Sequence, residues 1–306
     1  MSRQSVSLLI TDTATYAVQR LKSYSAFRVH SIYRKTINLH AAGKLLAIQA
    51  QGSPLSPVSL ITNLSQAQME QLPVFEDQAV YITKTHLIFC KDSEKPAPLF
   101  AFSYQDAQVH DLALPGIYKD ASSGFLSPFK DLLYSILSQA GTNGMDLVFS
   151  SSPLLSGNWM MSAAKVRIDD SVTLMKKQLW EDAASELIRL IGLGIGLTPS
   201  GDDFTTGVLA GMILFGLKEH PFFHAYREQV LAHLSDTNDV SRTFLTAAID
   251  GHFSTAINSL TRVKKEDLGE NFSQTENCVL EKFLAIGHSS GIDALCGIYF
   301  VLCHLL

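Results

Sequence analysis

The segment that most restricts this chain is Gly192-Leu-Gly-Ile-Gly-Leu-Thr-Pro-Ser-Gly-Asp-Asp-Phe204. Its three glycines at alternate positions permit backbone conformations and close approaches that side chains forbid. The apolar residues that follow Asp203 extend to Leu217 and have helical character. The sequence therefore predicts a glycine-rich loop that ends at a helix N-terminus, where free backbone N–H groups and the helix dipole favour an anion.

This loop does not match the common nucleotide-binding patterns. Gly196 and Gly201 have the spacing of the two glycines in G-x-x-x-x-G-K-[ST], but Asp202 stands where that pattern needs its phosphate-binding lysine. The dinucleotide pattern G-x-G-x-x-G fails as well, because its third glycine falls on Leu197 or on Pro199. An ATPase or a dehydrogenase is therefore disfavoured.

Helix capping alone explains part of the same segment. Ser200 and Asp203 satisfy the capping box [ST]-x-x-[DE] before an apolar run, and Asp202 in the first turn would complement the helix dipole. Capping does not account for the glycine run or for the second acid. A simple cap and a functional loop both stay open on the residues alone.

Composition restricts the partners of the chain. Its 306 residues are 46% hydrophobic, and a net charge of -5 disfavours a nucleic-acid partner held by a basic face. The four cysteines show no C-x-x-C spacing, so neither a disulfide framework nor a zinc site is indicated. The apolar helix candidates Phe204–Leu217 and Ala294–Leu306 are shorter than the roughly 20 residues of a membrane span. We expect a cytoplasmic globular protein.

The hydrophobic pattern changes along the chain. Short alternating or β-branched runs over roughly residues 25–115 predict a mainly antiparallel sheet or barrel. Helical periodicity follows, with one further strand predicted at Met145–Phe149 and one amphipathic helix predicted over Val172–Leu190. The predicted class is α+β: a mainly β domain over residues 1–120, then a mainly helical domain with central buried helices over residues 121–306.

A second copy of the motif occurs at Gly287-His-Ser-Ser-Gly-Ile-Asp-Ala-Leu-Cys-Gly297. Aligned on Ser200 and Ser290, both copies have the pattern Ser-Gly-x-Asp-x-x-x-Gly. If the two helices lie side by side and parallel, both positive helix ends face one pocket, and His288 adds a titratable group. Two unrelated helix caps are the alternative, and a large distance between Ser200 and Ser290 would establish it.

The two segments, Gly192–Phe204 and Leu284–Gly297, resemble the paired signature motifs of a bacterial family long described only as a domain of unknown function. Its members include the AllH subunit of oxamate carbamoyltransferase. A weaker similarity lies at Ile37–Ile48, and the firm part covers roughly residues 190–300. Ile195 departs from the family, which often has proline at that position.

The resemblance implies a subunit in carbamoyl transfer between carbamoyl phosphate and oxamate, a small 2-oxo acid amide, in anaerobic allantoin breakdown. It also implies companion subunits, one of which is similar to the acyl-CoA synthetase-like FdrA protein. The alternative is a non-catalytic subunit that binds a small anion or shapes an interface while its partners carry the chemistry. Anion binding without turnover would favour this alternative.

Carbamoyl transfer needs a phosphate cradle, donors for the developing oxyanion and a group that manages a proton. The candidate catalytic residues are His288, Asp202 and Asp203. Because two carboxylates repel phosphate, Mg²⁺ bound by Asp202 and Asp203 is a conditional expectation. Arg242 is a candidate clamp for an anion, or else the partner of a structural acid. The candidate anion-binding residues are Gly194, Gly196, Thr198, Ser200, Gly201, Arg242, Ser289, Ser290, Gly291 and Asp293.

Overall fold

The structure, a computed structural model, describes residues 7–91, 97–118, 121–150 and 153–306. Contacts divide the chain after Leu112 into two compact units. The first unit carries the sheet and the second is helical, so the predicted α+β class is confirmed. No helix among the described residues is both long and apolar enough to cross a membrane.

The first unit contains nine strands and two helices within the described residues. The strands are β1 Ile10–Ala14, β2 Ala26–Ile32, β3 Thr36–Ala41, β4 Lys44–Gln49, β5 Ser59–Thr62, β6 Ala79–Ile82, β7 His86–Cys90, β8 Pro98–Ser103 and β9 Gln108–His110. The helices are α1 Thr15–Ser23 and α2 Gln66–Met69. The strands form one curled sheet in the order β8-β7-β6-β2-β3-β4-β5-β1-β9.

Most strand pairs are antiparallel, as predicted, while β4–β5 and β1–β9 are parallel. The hairpin between β3 and β4 turns through Ala42 and Gly43, which both have positive φ (46° and 71°). Two such residues suit the tight turn whose twist matches the flanking strands. The pair Leu39 and Leu46, opposite each other across this hairpin, is fully buried in the core.

The second unit is helical. Its α-helices are α3 Ser123–Ala140, α4 Asp146–Phe149, α5 Trp159–Met175, α6 Trp180–Ile188, α7 Ser200–Leu214, α8 Pro221–Ala232, α9 Asp239–Ile249, α10 Thr255–Ser259, α11 Phe272–Leu284 and α12 Ser290–His304. Short 3-10 turns occur at Pro153–Gly157, Leu234–Asp236, Leu260–Arg262 and Glu266–Leu268. Helices α7 and α12 are almost entirely buried, which confirms the predicted central buried helices.

Two predicted elements of this unit are wrong. The single helix predicted over Val172–Leu190 is two helices, because Gln178 has a left-handed φ of 58° and breaks the backbone between α5 and α6. The strand predicted at Met145–Phe149 is the short helix α4. Asp146 accepts the backbone N–H groups of Thr142 and Gly144 (3.0 and 2.8 Å), which holds the chain in a turn that starts a helix.

Helices α7 and α12 pack side by side at glycine positions. A Cβ added to Gly207 would lie 1.9 Å from the carbonyl oxygen of Ala294, and one added to Gly297 would lie 2.1 Å from that of Phe204. Further along, Gly211 faces Ile298. Contacts therefore advance in the same direction on both helices, which run parallel with their N-termini at one end. Side chains at these glycines would keep the helices apart.

Candidate functional site

The two copies of the motif meet at the N-terminal ends of α7 and α12. The hydroxyl oxygens of Thr198 and Ser290, 92 positions apart in the sequence, lie 2.8 Å from each other. Because the helices are parallel, their positive dipole ends lie together. The alternative, two unrelated helix caps, is therefore wrong.

The carboxyl groups of the two motifs contact each other's serines. The hydroxyls of Ser290 and Thr198 hydrogen-bond to Asp203, and Asp293 receives hydrogen bonds from Ser200 and from Ser289 of its own copy. Each motif thus completes the other, and the arrangement has approximate twofold symmetry.

The interpretation of Ser200 as a simple helix cap is wrong. Helix α7 begins at Ser200 itself, the residue before it is Pro199, and no side chain caps this end. A capping serine precedes its helix and accepts an N–H from the first turn, whereas Ser200 faces Asp293 of the second motif. The serine and acid that fit a capping box therefore serve the contact between the two motifs.

The glycine run folds back against the start of α7. Gly192, Gly194 and Gly196 all have positive φ (78°, 143° and 110°), a region that other residues rarely adopt. A Cβ on Gly194 would lie 2.3 Å from the backbone nitrogen of Ser200, so glycine is also required by space there. A Cβ added to Gly196 would have no neighbouring atom within 4 Å, so only the backbone conformation requires glycine there.

Unpaired backbone N–H groups surround this end of the helices. Within the described residues, the N–H groups of residues 194–198 and of 288–291 donate no hydrogen bond. Gly201 differs, because its N–H donates to the carbonyl oxygen of Leu193 (2.8 Å). The donors that an anion would meet therefore lie in the loop and at the start of α12, where the dipole reinforces them.

Asp202 points away from these donors. It is 1% exposed, and its Oδ1 accepts the N–H of Gly192 (2.8 Å). Its Oδ2 accepts the hydroxyls of Thr237 and Ser241. Through these three hydrogen bonds, Asp202 fixes the glycine loop to α9 and to the turn before α9.

Asp203 and Asp293 also accept hydrogen bonds, but each acid leaves one oxygen without a partner. Asp293 is fully buried, Asp203 is partly exposed as a residue, and the Oδ2 atoms of both are shielded from solvent without a hydrogen-bond partner in the described part of the chain. Burial raises the pKa of Asp293 to about 7 against the hydrogen bonds it receives. Burial, and then the charge of Asp293, raise the pKa of Asp203 well above its usual range.

A third segment, residues 143–145, also contacts the site, and the two motifs did not predict this contact. The N–H of Met145 donates to Asp293 Oδ1 (2.6 Å), and Gly144 packs so closely that a Cβ there would lie 2.3 Å from the same oxygen. Asn143, with a φ of 60°, turns the chain into this contact. The Asn-Gly pair at 143–144 is a turn signal in the sequence, but nothing in the sequence connects it with Asp293.

Two family models match the chain in the regions that carry this architecture. The model described as oxamate carbamoyltransferase subunit AllH matches residues 190–302, which include both motifs. The model described as AllH family N-terminal domain matches residues 6–98. The chain belongs to the AllH family. No solved structure matches it. A family described as an enzyme subunit indicates companion subunits.

Two further candidates of this AllH-family chain are His288 and Arg242. His288 is exposed on the segment between α11 and α12. Arg242 on α9 donates to the carbonyl oxygens of Leu234 and Thr237 (2.8 and 3.1 Å) and pairs with Asp239. Arg242 thus stabilises the turn before α9. It is linked to Asp202 through Thr237, whose carbonyl oxygen accepts from Arg242 and whose hydroxyl donates to Asp202.

The residues proposed to hold Mg²⁺ do not fit that ion. Asp202 already accepts one N–H and two O–H donors, which use most of the lone pairs that a cation would need. Asp203 would then be the only one of the two acids left to bind the ion. No group of three or more metal-binding side chains occurs in the described residues. We therefore derive no chemical step through a metal ion.

Proposed function

We propose that the chain is a subunit of a carbamoyltransferase-type enzyme that acts on carbamoyl phosphate and a small 2-oxo acid amide such as oxamate. In this proposal the loop at residues 194–198 and the start of α12 bind the anionic end of the substrate. The observation that carries it is the meeting of two parallel helix N-termini beside unpaired N–H groups.

The environment of the acids supports an anion at this place. The carboxylate of Asp202 accepts hydrogen bonds from protein donors, and burial raises the pKa of Asp203 well above its usual range, which favours the neutral form of that carboxyl. A neutral Asp203 removes one of the two negative charges that would repel a phosphate. Carbamoyl phosphate and oxamate both carry a primary carbamoyl or amide group next to an anion, so one donor array suits either.

Companion subunits, including an FdrA-like protein, belong to the same proposal, as does a role in allantoin breakdown. The glycine loop supports a partner at this edge, because Ile195 is 88% and Leu197 is 47% exposed beside the proposed anion site. Exposed apolar side chains next to a functional site are typical of surfaces that a partner covers. A non-catalytic anion-binding subunit is the competing function, and assays with and without partners separate the two.

Calorimetric titration of the purified chain tests the anion site. We expect carbamoyl phosphate and oxamate to bind. The same titrations with Mg²⁺ present measure whether this ion changes the affinity for either anion. Gly196→Ala strains the loop without steric overlap and should weaken binding at least tenfold. Gly52→Ala is the matched control, since Gly52 also has positive φ and no atom within 4 Å of an added Cβ. Binding of neither anion would overturn the proposal.

A further inference from the structure

The anion site leaves two buried carboxyl oxygens without a partner. Asp203 Oδ2 and Asp293 Oδ2 are shielded from solvent, and no donor within the described residues reaches them. An ionised carboxylate with an unpaired buried oxygen is costly, and two of them close together are more so. A proton held by the pair removes this cost.

We propose that Asp203 and Asp293 together hold an exchangeable proton, and that the hydroxyls of Ser290 and Thr198 pass it between the pair and the ligand at the anion site. This inference rests on the proposed function, because it needs a ligand beside the loop. Ser290 and Thr198 both hydrogen-bond to Asp203, lie 2.8 Å from each other and are partly exposed. They therefore connect the buried pair with the surface of the site.

The other ionisable groups around the pair favour its protonated form. Besides burial, the charge of Asp146, the first residue of α4, raises the pKa of Asp293, and that of Asp202 raises the pKa of Asp203. Cys296 on α12 lies near Asp293 and Asp146, and Tyr226 on α8 lies near Asp202. Burial raises the pKa of both groups, so they stay neutral. The charges that shift these groups are all negative.

The proposed transfer uses this proton without net change in the pair. The amide nitrogen of the acceptor forms a bond to the carbamoyl carbon, while the bond from that carbon to the phosphate oxygen breaks with its electron pair going to phosphate. The proton lost by the nitrogen passes through Ser290 and Thr198 to the ionised carboxyl of the pair. The pair returns one proton to the leaving phosphate, which departs as hydrogen phosphate.

Infrared difference spectroscopy of the full chain tests whether the pair is protonated. We expect a C=O band of a buried carboxylic acid at pH 6 that shrinks in Asp203→Asn and in Asp293→Asn. Asp202→Asn, at the neighbouring position, should leave this band unchanged. Absence of the band from the wild type, or its persistence in both single variants, would overturn the inference even if oxamate binds.

Calorimetry in buffers of different ionisation enthalpy measures the exchange of the proton. Oxamate is the probe, because its carboxylate does not titrate near neutral pH. With the pKa of Asp293 at about 7, oxamate binding at pH 7 should take up at most about half a proton. Wild type and His288→Ala should show this uptake and Asp293→Asn should lose it. Binding with no uptake contradicts the inference and leaves the proposed function standing, whereas no binding contradicts the proposed function.

Turnover of the assembled enzyme tests the path. Ser290→Ala combined with Thr198→Val should lower kcat at least tenfold, as expected for a lost proton-transfer route, with a smaller effect on KM. Ser138→Ala combined with Thr173→Val is the matched control, because these two exposed hydroxyls lie outside both motifs and donate to backbone carbonyl oxygens of their own helices. An unchanged kcat in the double variant of Ser290 and Thr198 would show that the two hydroxyls carry no proton.

Discussion

Neighbouring residues in one helical turn have opposite surroundings in this protein. Asp202 accepts three hydrogen bonds from protein donors, while the next residue, Asp203, has an unpaired buried oxygen. The same side-chain type therefore serves as an anchor at one position and is proposed to store a proton at the next. Surroundings, and not residue type, separate the two roles.

Asp202→Asn should destabilise the fold by about 1–3 kcal/mol, because the amide group places a donor where the carboxylate accepted hydroxyls. Urea denaturation followed by far-UV circular dichroism measures this loss. Asp169→Asn is the control, since its exposed pair with Lys165 should contribute less than about 1 kcal/mol. Equal stability of the two variants would show that the anchor contributes little.

Asp293 should make stability depend on pH. Its folded pKa of about 7 lies above the ordinary value of an unfolded aspartate, about 3.9. The folded state therefore binds more protons between these values, and this contribution to stability is lost as pH rises from about 4 to about 7, at up to about 1.4 kcal/mol per pH unit.

The comparison of wild type with Asp293→Asn isolates that contribution. We expect the free energy of unfolding of the wild type to fall relative to the variant between pH 5 and 7, and the difference to level off above pH 8. Urea denaturation at each pH provides the measurement. Parallel curves across this range would exclude a raised pKa at Asp293.

At the scale of elements, glycines decide how α7 and α12 meet. Gly207 faces the backbone of Ala294, and Gly297 faces that of Phe204, so each motif supplies the glycine that accommodates the other helix. The repeated pattern Ser-Gly-x-Asp-x-x-x-Gly thus encodes a pair of helices that only assemble together. A backbone contact of this kind tolerates no side chain.

Gly207→Ala should destabilise the protein by more than about 3 kcal/mol, because the added methyl group overlaps a backbone carbonyl that cannot rotate away. Gly124→Ala provides the control in α3, where an added Cβ would meet its nearest atoms at 3.7 Å. That control should be neutral or stabilising by up to about 1 kcal/mol, the helix propensity gain. Thermal unfolding of both variants tests the difference.

The sequence was most informative where a pattern occurs twice. Both copies of the motif predicted two similar helix starts, and their shared spacing suggested one site. It did not reveal that Ser200 bonds to Asp293 and Ser290 to Asp203, because a local cap and a contact between copies have the same spacing. The turn at Thr142–Asp146 escaped prediction for a related reason: its contact with Asp293 is long-range and has no local signature.

At the scale of the whole molecule, the glycine loop has an apolar tip beside the proposed anion site. Ile195 is the most exposed of the large hydrophobic side chains described, at 88%. Ile195→Ser should weaken association with a companion subunit at least tenfold and leave oxamate binding unchanged. Leu231→Ser on α8 is the control, since Leu231 is also exposed, at 54%, on a different helix.

Analytical ultracentrifugation of the mixed subunits measures that association, and carbamoyl-transfer assays with and without partners accompany it. We expect turnover only in the mixture. Undiminished assembly of Ile195→Ser would place the partner elsewhere on the surface. Turnover by the chain alone would show that it needs no partner.

The pairing of each motif with the other links the proposed anion binding to the stability of the helical unit. Thr198 and Ser290 are 92 positions apart, and closing a loop of that length costs about 4 kcal/mol of chain entropy. Partly folded chains in which α7 and α12 are separated therefore lack half of the donor array. An anion bound as proposed would stabilise only the complete assembly, so a higher anion concentration should raise the melting temperature of the helical unit. In this protein, substrate supply would also act as a determinant of how long the folded chain survives.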